Sequence, residues 1–180
     1  YYDYIRSIKI DLDVVPKNKR KHSLWKYLGE DYEYHNVPFP DTNYADYEAW
    51  KIIFDTFISF LRDGVIIVWT SLGWWFMAKY FSENVLPFKI KRIILLAPAF
   101  YDVPWEVMGS FQVSSEQIES ITQHCDELII YHSTNDSIVP FLDSEKYLKL
   151  FPKATFREFT DKWHFNNEER ILEVEEDIKK

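Results

Sequence analysis

Three short apolar runs recur along the chain: Val65-Ile66-Ile67-Val68, Ile93-Ile94-Leu95-Leu96 and Leu128-Ile129-Ile130-Tyr131. None is interrupted by a charge, which is the pattern of a strand covered on both faces. Helical patterns lie between them. Ala45 to Leu61 places Trp50, Ile53, Phe54, Phe57, Ile58 and Leu61 at helical spacing, and Gly64 closes it. Leu72 to Phe81 is apolar nearly all round, as a buried helix is. Ser114 to Thr122 opens on Ser114 with Gln117 at the capping-box position. Asp143 to Leu150 and Asn167 to Ile178 also read as helices, while Ile8 to Leu12, Tyr32 to Val37 and Thr155 to Phe159 alternate as strands do. Buried strands separated by helices predict an α/β fold, with a doubly wound, mostly parallel sheet flanked by helices. At 180 residues a single domain is expected.

Charge and composition narrow the function. A net charge of −8 argues against binding to nucleic acid or an anionic membrane. The basic run Lys17-Asn18-Lys19-Arg20-Lys21 reads as a solvated loop. No apolar stretch reaches the roughly 20 residues that span a bilayer. Cys125 is the only cysteine, so no intrachain disulfide forms, and a reducing, cytoplasmic setting is expected. There is no metal-ligand spacing and no glycine-rich phosphate loop, so neither a metal nor a cofactor is expected.

In parallel sheets, sites gather beyond the carboxyl ends of the strands. Three such loops carry residues suited to acyl transfer. Ser71 follows Val65–Val68, Asp136 lies in His132-Ser133-Thr134-Asn135-Asp136-Ser137-Ile138-Val139-Pro140, and His164 lies in Thr160-Asp161-Lys162-Trp163-His164-Phe165. Taken singly, Ser71 reads as a helix N-cap, Asp136 as a turn residue and His164 as a surface histidine. Together, in this order and on these loops, they read as a Ser-Asp-His triad. A serine hydroxyl needs an imidazole to take its proton, and the imidazole needs a carboxylate to hold its tautomer. The N–H of Leu72, next to the serine, is the expected oxyanion donor. Trp74, Phe100, Phe141 and Phe165 are candidates to line an apolar acyl site. Asp102 is a reserve acid. His132 sits near the site, but its strand-end position fits a structural role; His22, His35 and His124 have no catalytic context.

From about Trp25 onward the chain resembles the small serine hydrolases of the retinoblastoma-binding-protein-nine and YdeN type, within the α/β-hydrolase superfamily. The resemblance is carried by Leu24-Trp25-Lys26-Tyr27-Leu28, Val37-Pro38-Phe39-Pro40-Asp41-Thr42, Thr70-Ser71-Leu72-Gly73, Leu96-Ala97-Pro98-Ala99, the block His132 to Pro140, and His164-Phe165-Asn166. It implies Ser71 as nucleophile, Asp136 as acid and His164 as base, acting on a small acyl substrate without a large cap domain. Two departures stand out. The family's His-Gly loop after the first strand has no counterpart in Asp13 to Ser23, so residues 1–24 are divergent or truncated and the second oxyanion donor is unassigned. Trp69, Trp74 and Trp163 stand where the family has glycine.

Glycine is scarce, with 4 residues, and tryptophan abundant, with 7. Either these tryptophans fill or remodel the site, or the gene uses a code in which UGA specifies glycine. UGG codons at these positions would exclude the second account. Three functions follow: an esterase-like serine hydrolase, a peptidase or amidase using the same triad, or a hydrolase fold kept as a binding module.

Overall fold

The computed structural model describes residues 1–8, 25–71, 73–101, 108–166 and 170–180. The predicted strand Ile8 to Leu12, the basic run, Leu72 and Asp102 therefore lie wholly or mainly outside the described residues. The chain divides into two compact units, one of Tyr1–Leu61 with Asn166–Lys180 and one of Arg62–Phe165.

The first unit is helical: α1 (Tyr2–Ser7), α2 (Trp25–Leu28), α3 (Tyr47–Ile58) and, at the chain end, α7 (Leu172–Lys179). Asp46 caps α3, its carboxylate accepting from the Ala49 N–H at 2.9 Å. Of the apolar positions foreseen here, Trp50, Ile53, Phe54 and Phe57 are buried, Ile58 is half-buried and Leu61 lies past the helix end; Ile53 and Phe57 pack with Ala49 and Ile5. Trp50 stacks on Phe39, and its indole N–H donates to the Pro40 carbonyl at 2.8 Å.

Tyr32 to Val37 is not a strand. The described elements of this unit are helices, so no strand edge accepts its N–H groups, and a period-two pattern without a partner strand has nothing to pair with. Pro38 and Pro40 withdraw two further donors. The C-terminal helix is also shorter than its sequence pattern, beginning at Leu172.

The second unit carries β1 (Val65–Thr70), α4 (Gly73–Glu83), β2 (Ile90–Leu96), α5 (Ser115–Glu119), β3 (Cys125–Ser133), α6 (Leu142–Leu150) and β4 (Thr155–Phe159). The four strands form one parallel sheet in the order β1-β2-β3-β4. Helices flank the sheet: α4 packs against α5, and Tyr147 of α6 meets Trp74 of α4 edge-on. The central strands β2 and β3 are buried along most of their length, whereas β1 and β4 are half-buried. Arg92 and Glu127 sit opposite each other across β2 and β3, paired at 2.6 Å, with Arg92 buried. A slip of one residue would leave that guanidinium buried and unpaired, so the pair helps to pin the register. The Ser114–Gln117 capping box at the start of α5 is formed in both directions.

Candidate active site

One hydrogen bond recurs at the carboxyl edge of the sheet. The Ser71 N–H, just past β1, donates to Leu96 of β2 at 3.0 Å. The Ala97 N–H, just past β2, donates to Tyr131 of β3 at 2.8 Å, and the Thr134 N–H, just past β3, donates to Phe159 of β4 at 2.7 Å. Each loop thus starts from a point fixed by the next strand.

The backbone is strained at this edge. Among the described residues, five non-glycines have positive φ, and four of them follow strands at this edge: Ser71 (54°) after β1, Ala97 (44°) after β2, and Trp163 (50°) and Phe165 (57°) after β4. The left-handed region costs an L-residue roughly 1–2 kcal/mol. Such strain persists where surrounding structure enforces it, and it concentrates at functional sites. Ser71 adopts it between β1 and α4, the geometry of a nucleophile on a strand-to-helix elbow. Its neighbour Leu72, the expected oxyanion donor, lies outside the described residues.

Trp69 lies two residues before Ser71, on β1. Its indole is pressed onto Gly73, so closely that a Cβ at position 73 would collide with Trp69 Nε1. The one glycine left in this elbow is therefore sterically required. Trp74 is fully buried instead. Its indole N–H donates to the Ala99 carbonyl at 3.1 Å, an acceptor it shares with the Trp75 N–H at 2.6 Å and the Tyr147 hydroxyl at 2.5 Å. Asp143 continues the anchoring of this loop by accepting from the Phe100 N–H at 2.8 Å. Lys146 ties back to Asp143 at 2.7 Å and lies 4.0 Å from the centre of the Tyr101 ring.

The loops after β3 and β4 are joined through Asp136 and His164. Asp136 Oδ1 accepts from the N–H groups of Ile138 at 2.8 Å and Val139 at 2.9 Å. Its Oδ2 meets His164 Nδ1 at 2.8 Å. His164 is buried, and the Asp136 carboxylate is fully so. Burial alone would raise the Asp136 pKa. The imidazoles of His132 and His164 and the N–H groups of Val139 and Ile138 outweigh it and hold the carboxyl well below its usual range.

Strands sit about 4.8 Å apart, so β1 and β4 are separated by about 14 Å. The loop after β4 turns toward its neighbour β3, where His164 meets Asp136. Asn135 holds it there: its side-chain oxygen accepts from the Trp163 N–H at 2.9 Å and from the Ser133 hydroxyl at 2.7 Å. The Ser133 oxygen in turn accepts from the Lys162 N–H at 3.1 Å. These two positioning residues were not singled out from the sequence; the signal was their place in the same loop as Asp136.

The other candidates fall into two groups. Phe100 and Phe141 are half-buried. Trp74 and Phe165 are 0% and 1% exposed. Their rings are committed to Tyr147 and Phe159, so neither offers a surface to a ligand in this conformation. Cys125 is no rival nucleophile: burial first, then Asp126 and Glu127, push its thiol up to about 12. Among the described residues no cluster of acidic, cysteine or histidine side chains could hold a metal ion, and no helix is long and apolar enough to cross a membrane.

Residues 18–178 match the serine hydrolase family, which is most of the chain. The chain belongs to that family. Solved structures agree on the fold. The ydeN gene product from B. subtilis superposes with a TM-score of 0.66 at 20% identity, covering 81% of this chain and 78% of that one. A putative hydrolase from Agrobacterium vitis S4 gives 0.57 at 14% identity, covering 91% and 81%. The esterase domain of a Rhodothermus marinus protein gives 0.54 at 12% identity, covering 71% and 63%. No relative is found among curated proteins.

Proposed function

We propose that this serine hydrolase cleaves a carboxylic ester or related acyl bond, with Ser71 as nucleophile, His164 as base and Asp136 as acid. The observation that carries the reading is the buried His164–Asp136 bond, formed on the same sheet edge as the left-handed Ser71. With Nδ1 donating to Asp136, the Nε2 of a neutral His164 is left as a base. It takes the Ser71 hydroxyl proton as Oγ bonds to the acyl carbon, then passes that proton to the leaving alcohol as the ester bond breaks. Water repeats the sequence on the acyl-enzyme: His164 takes one proton, hydroxide adds to the acyl carbon, and the proton returns to Ser71 as the acid departs. The Leu72 N–H is the proposed donor to the oxyanion. Phe100 and Phe141 would contact an apolar acyl group, with Trp74 and Phe165 packed behind.

A fluorophosphonate probe read by intact mass spectrometry tests this. One adduct is expected, absent in Ser71→Ala; an adduct retained by Ser71→Ala would overturn the assignment. Faster turnover of an anilide than of the matching ester would favour the amidase reading.

A second reading keeps the fold with an obstructed site, and Trp69 favours it by crowding Gly73 at the elbow. Under that reading Trp69→Gly should label with the probe at least tenfold faster than the unaltered chain. Equal rates would remove the obstruction argument.

A further inference from the structure

His132 is the second imidazole at this site, and the proton transfers above make no use of it. It is the penultimate residue of β3, is 0% exposed, and its ring meets Phe141 at 5.4 Å. Its Nε2 lies 3.2 Å from the Val139 carbonyl and 3.6 Å from Asp136 Oδ2. Both neighbours are acceptors, so Nε2 carries the ring proton. Nδ1 has no hydrogen-bond partner among the described residues, which leaves nothing to draw the proton there.

The two oxygens belong to one device. Val139 accepts from His132 through its carbonyl and donates to Asp136 Oδ1 through its N–H, so His132 braces the turn that grips the carboxylate. The Nε2–H of His132 also faces Oδ2, the oxygen bonded to His164. At 3.6 Å this second contact is electrostatic rather than a formed hydrogen bond. The titratable groups held against this carboxylate, among the described residues, are His132 and His164.

We propose that His132 is a positioning residue: as the Nε2–H tautomer it fixes the rotation of the Asp136 carboxylate and moderates the negative charge that Oδ2 presents to His164. The proposal rests on the reading of Ser71, Asp136 and His164 as the reacting group. Without His132 the carboxylate is less well aimed, which slows the chemical step and leaves substrate binding alone. Oδ2 also presents more charge to a protonated His164, so the acid limb of the kcat/KM profile moves to higher pH.

The test compares His132→Phe, which keeps an aromatic ring, with His132→Gln, which returns an N–H near the Nε2 position. The phenylalanine variant should lose about tenfold in kcat with KM nearly unchanged. Its acid limb should move to higher pH. The glutamine variant should recover most of both. Equal losses in the two variants with an unmoved acid limb would reduce His132 to core packing and overturn the proposal. Ring nitrogen NMR on the unaltered protein gives a readout independent of folding and turnover. The neutral His132 should show the Nε2–H tautomer, and the Nδ1–H tautomer would overturn the proposal. Ser71→Ala separates the two failures: turnover surviving in it sinks the triad reading, whereas the tautomer result bears on His132 alone.

Discussion

At the scale of single residues, strain and bonding separate side chains that look alike in sequence. Trp74 and Trp163 both stand where the resemblance implies glycine. Trp74 is buried with its N–H satisfied, whereas Trp163 is 52% exposed at a φ of 50°. Glycine ordinarily destabilises relative to alanine by roughly 0.5–1 kcal/mol. At position 163 that order should invert. Both substitutions remove the indole, but only glycine relieves the left-handed backbone. Trp163→Gly should therefore be more stable than Trp163→Ala by about 1 kcal/mol in denaturant unfolding, and the reverse order would remove the strain argument. Asp136→Asn tests the acid. The amide keeps the volume, but it can present N–H where Oδ2 accepts from His164, so the imidazole takes the wrong tautomer. By analogy with other triads, kcat should fall by roughly 10³–10⁴-fold in ester turnover.

At the scale of elements, β4 and its loop illustrate how a site is assembled from a distance. The strand places its loop at the correct edge but three strands away from β1. Bonds to Asn135 and Ser133 tie the loop to the end of β3. Asn135→Ala should leave the strands intact and loosen this tie. Hydrogen exchange of the 160–165 amides should accelerate, and kcat should fall about tenfold as His164 loses its fixed pose. Unchanged exchange there would mean that the Asp136 bond alone holds the loop. The helices were legible for a different reason. Their apolar spacing and caps are local, so Ile53, Phe54, Phe57 and the Ser114–Gln117 box appear where the spacing places them. Tyr32 to Val37 fails because a strand depends on a partner, which no local pattern contains.

At the scale of the whole molecule, Asp136 couples the site to stability. Its carboxyl titrates below the usual range when folded and near 3.9 when unfolded. The folded state therefore releases that proton more readily. Its stabilising share is whole above about pH 5 and drains away as the pH falls through the unfolded value toward the lower folded one. Acid unfolding should show it. The stability difference between the unaltered chain and Asp136→Asn should narrow steadily from about pH 5 to pH 2. A gap that stays constant over that range would mean that this carboxyl is not held low. Three hydrogen bonds, from Ile138, Val139 and His164, with the His132 imidazole close by, let this carboxylate tolerate its burial.

The alternation of buried runs with helices was enough to specify a parallel α/β sheet, because burial on both faces leaves a continuous apolar signature in each strand. The order of Ser71, Asp136 and His164 on three strand-end loops was also open to reading, since parallel strands send all such loops to one edge. What that order could not contain was geometry. The left-handed turn at Ser71, the reach of the β4 loop, the burial of Trp74 and Phe165, and the seat of His132 between Val139 and Asp136 all depend on contacts between residues distant in sequence or on backbone angles that packing imposes. Only the tertiary structure could decide them.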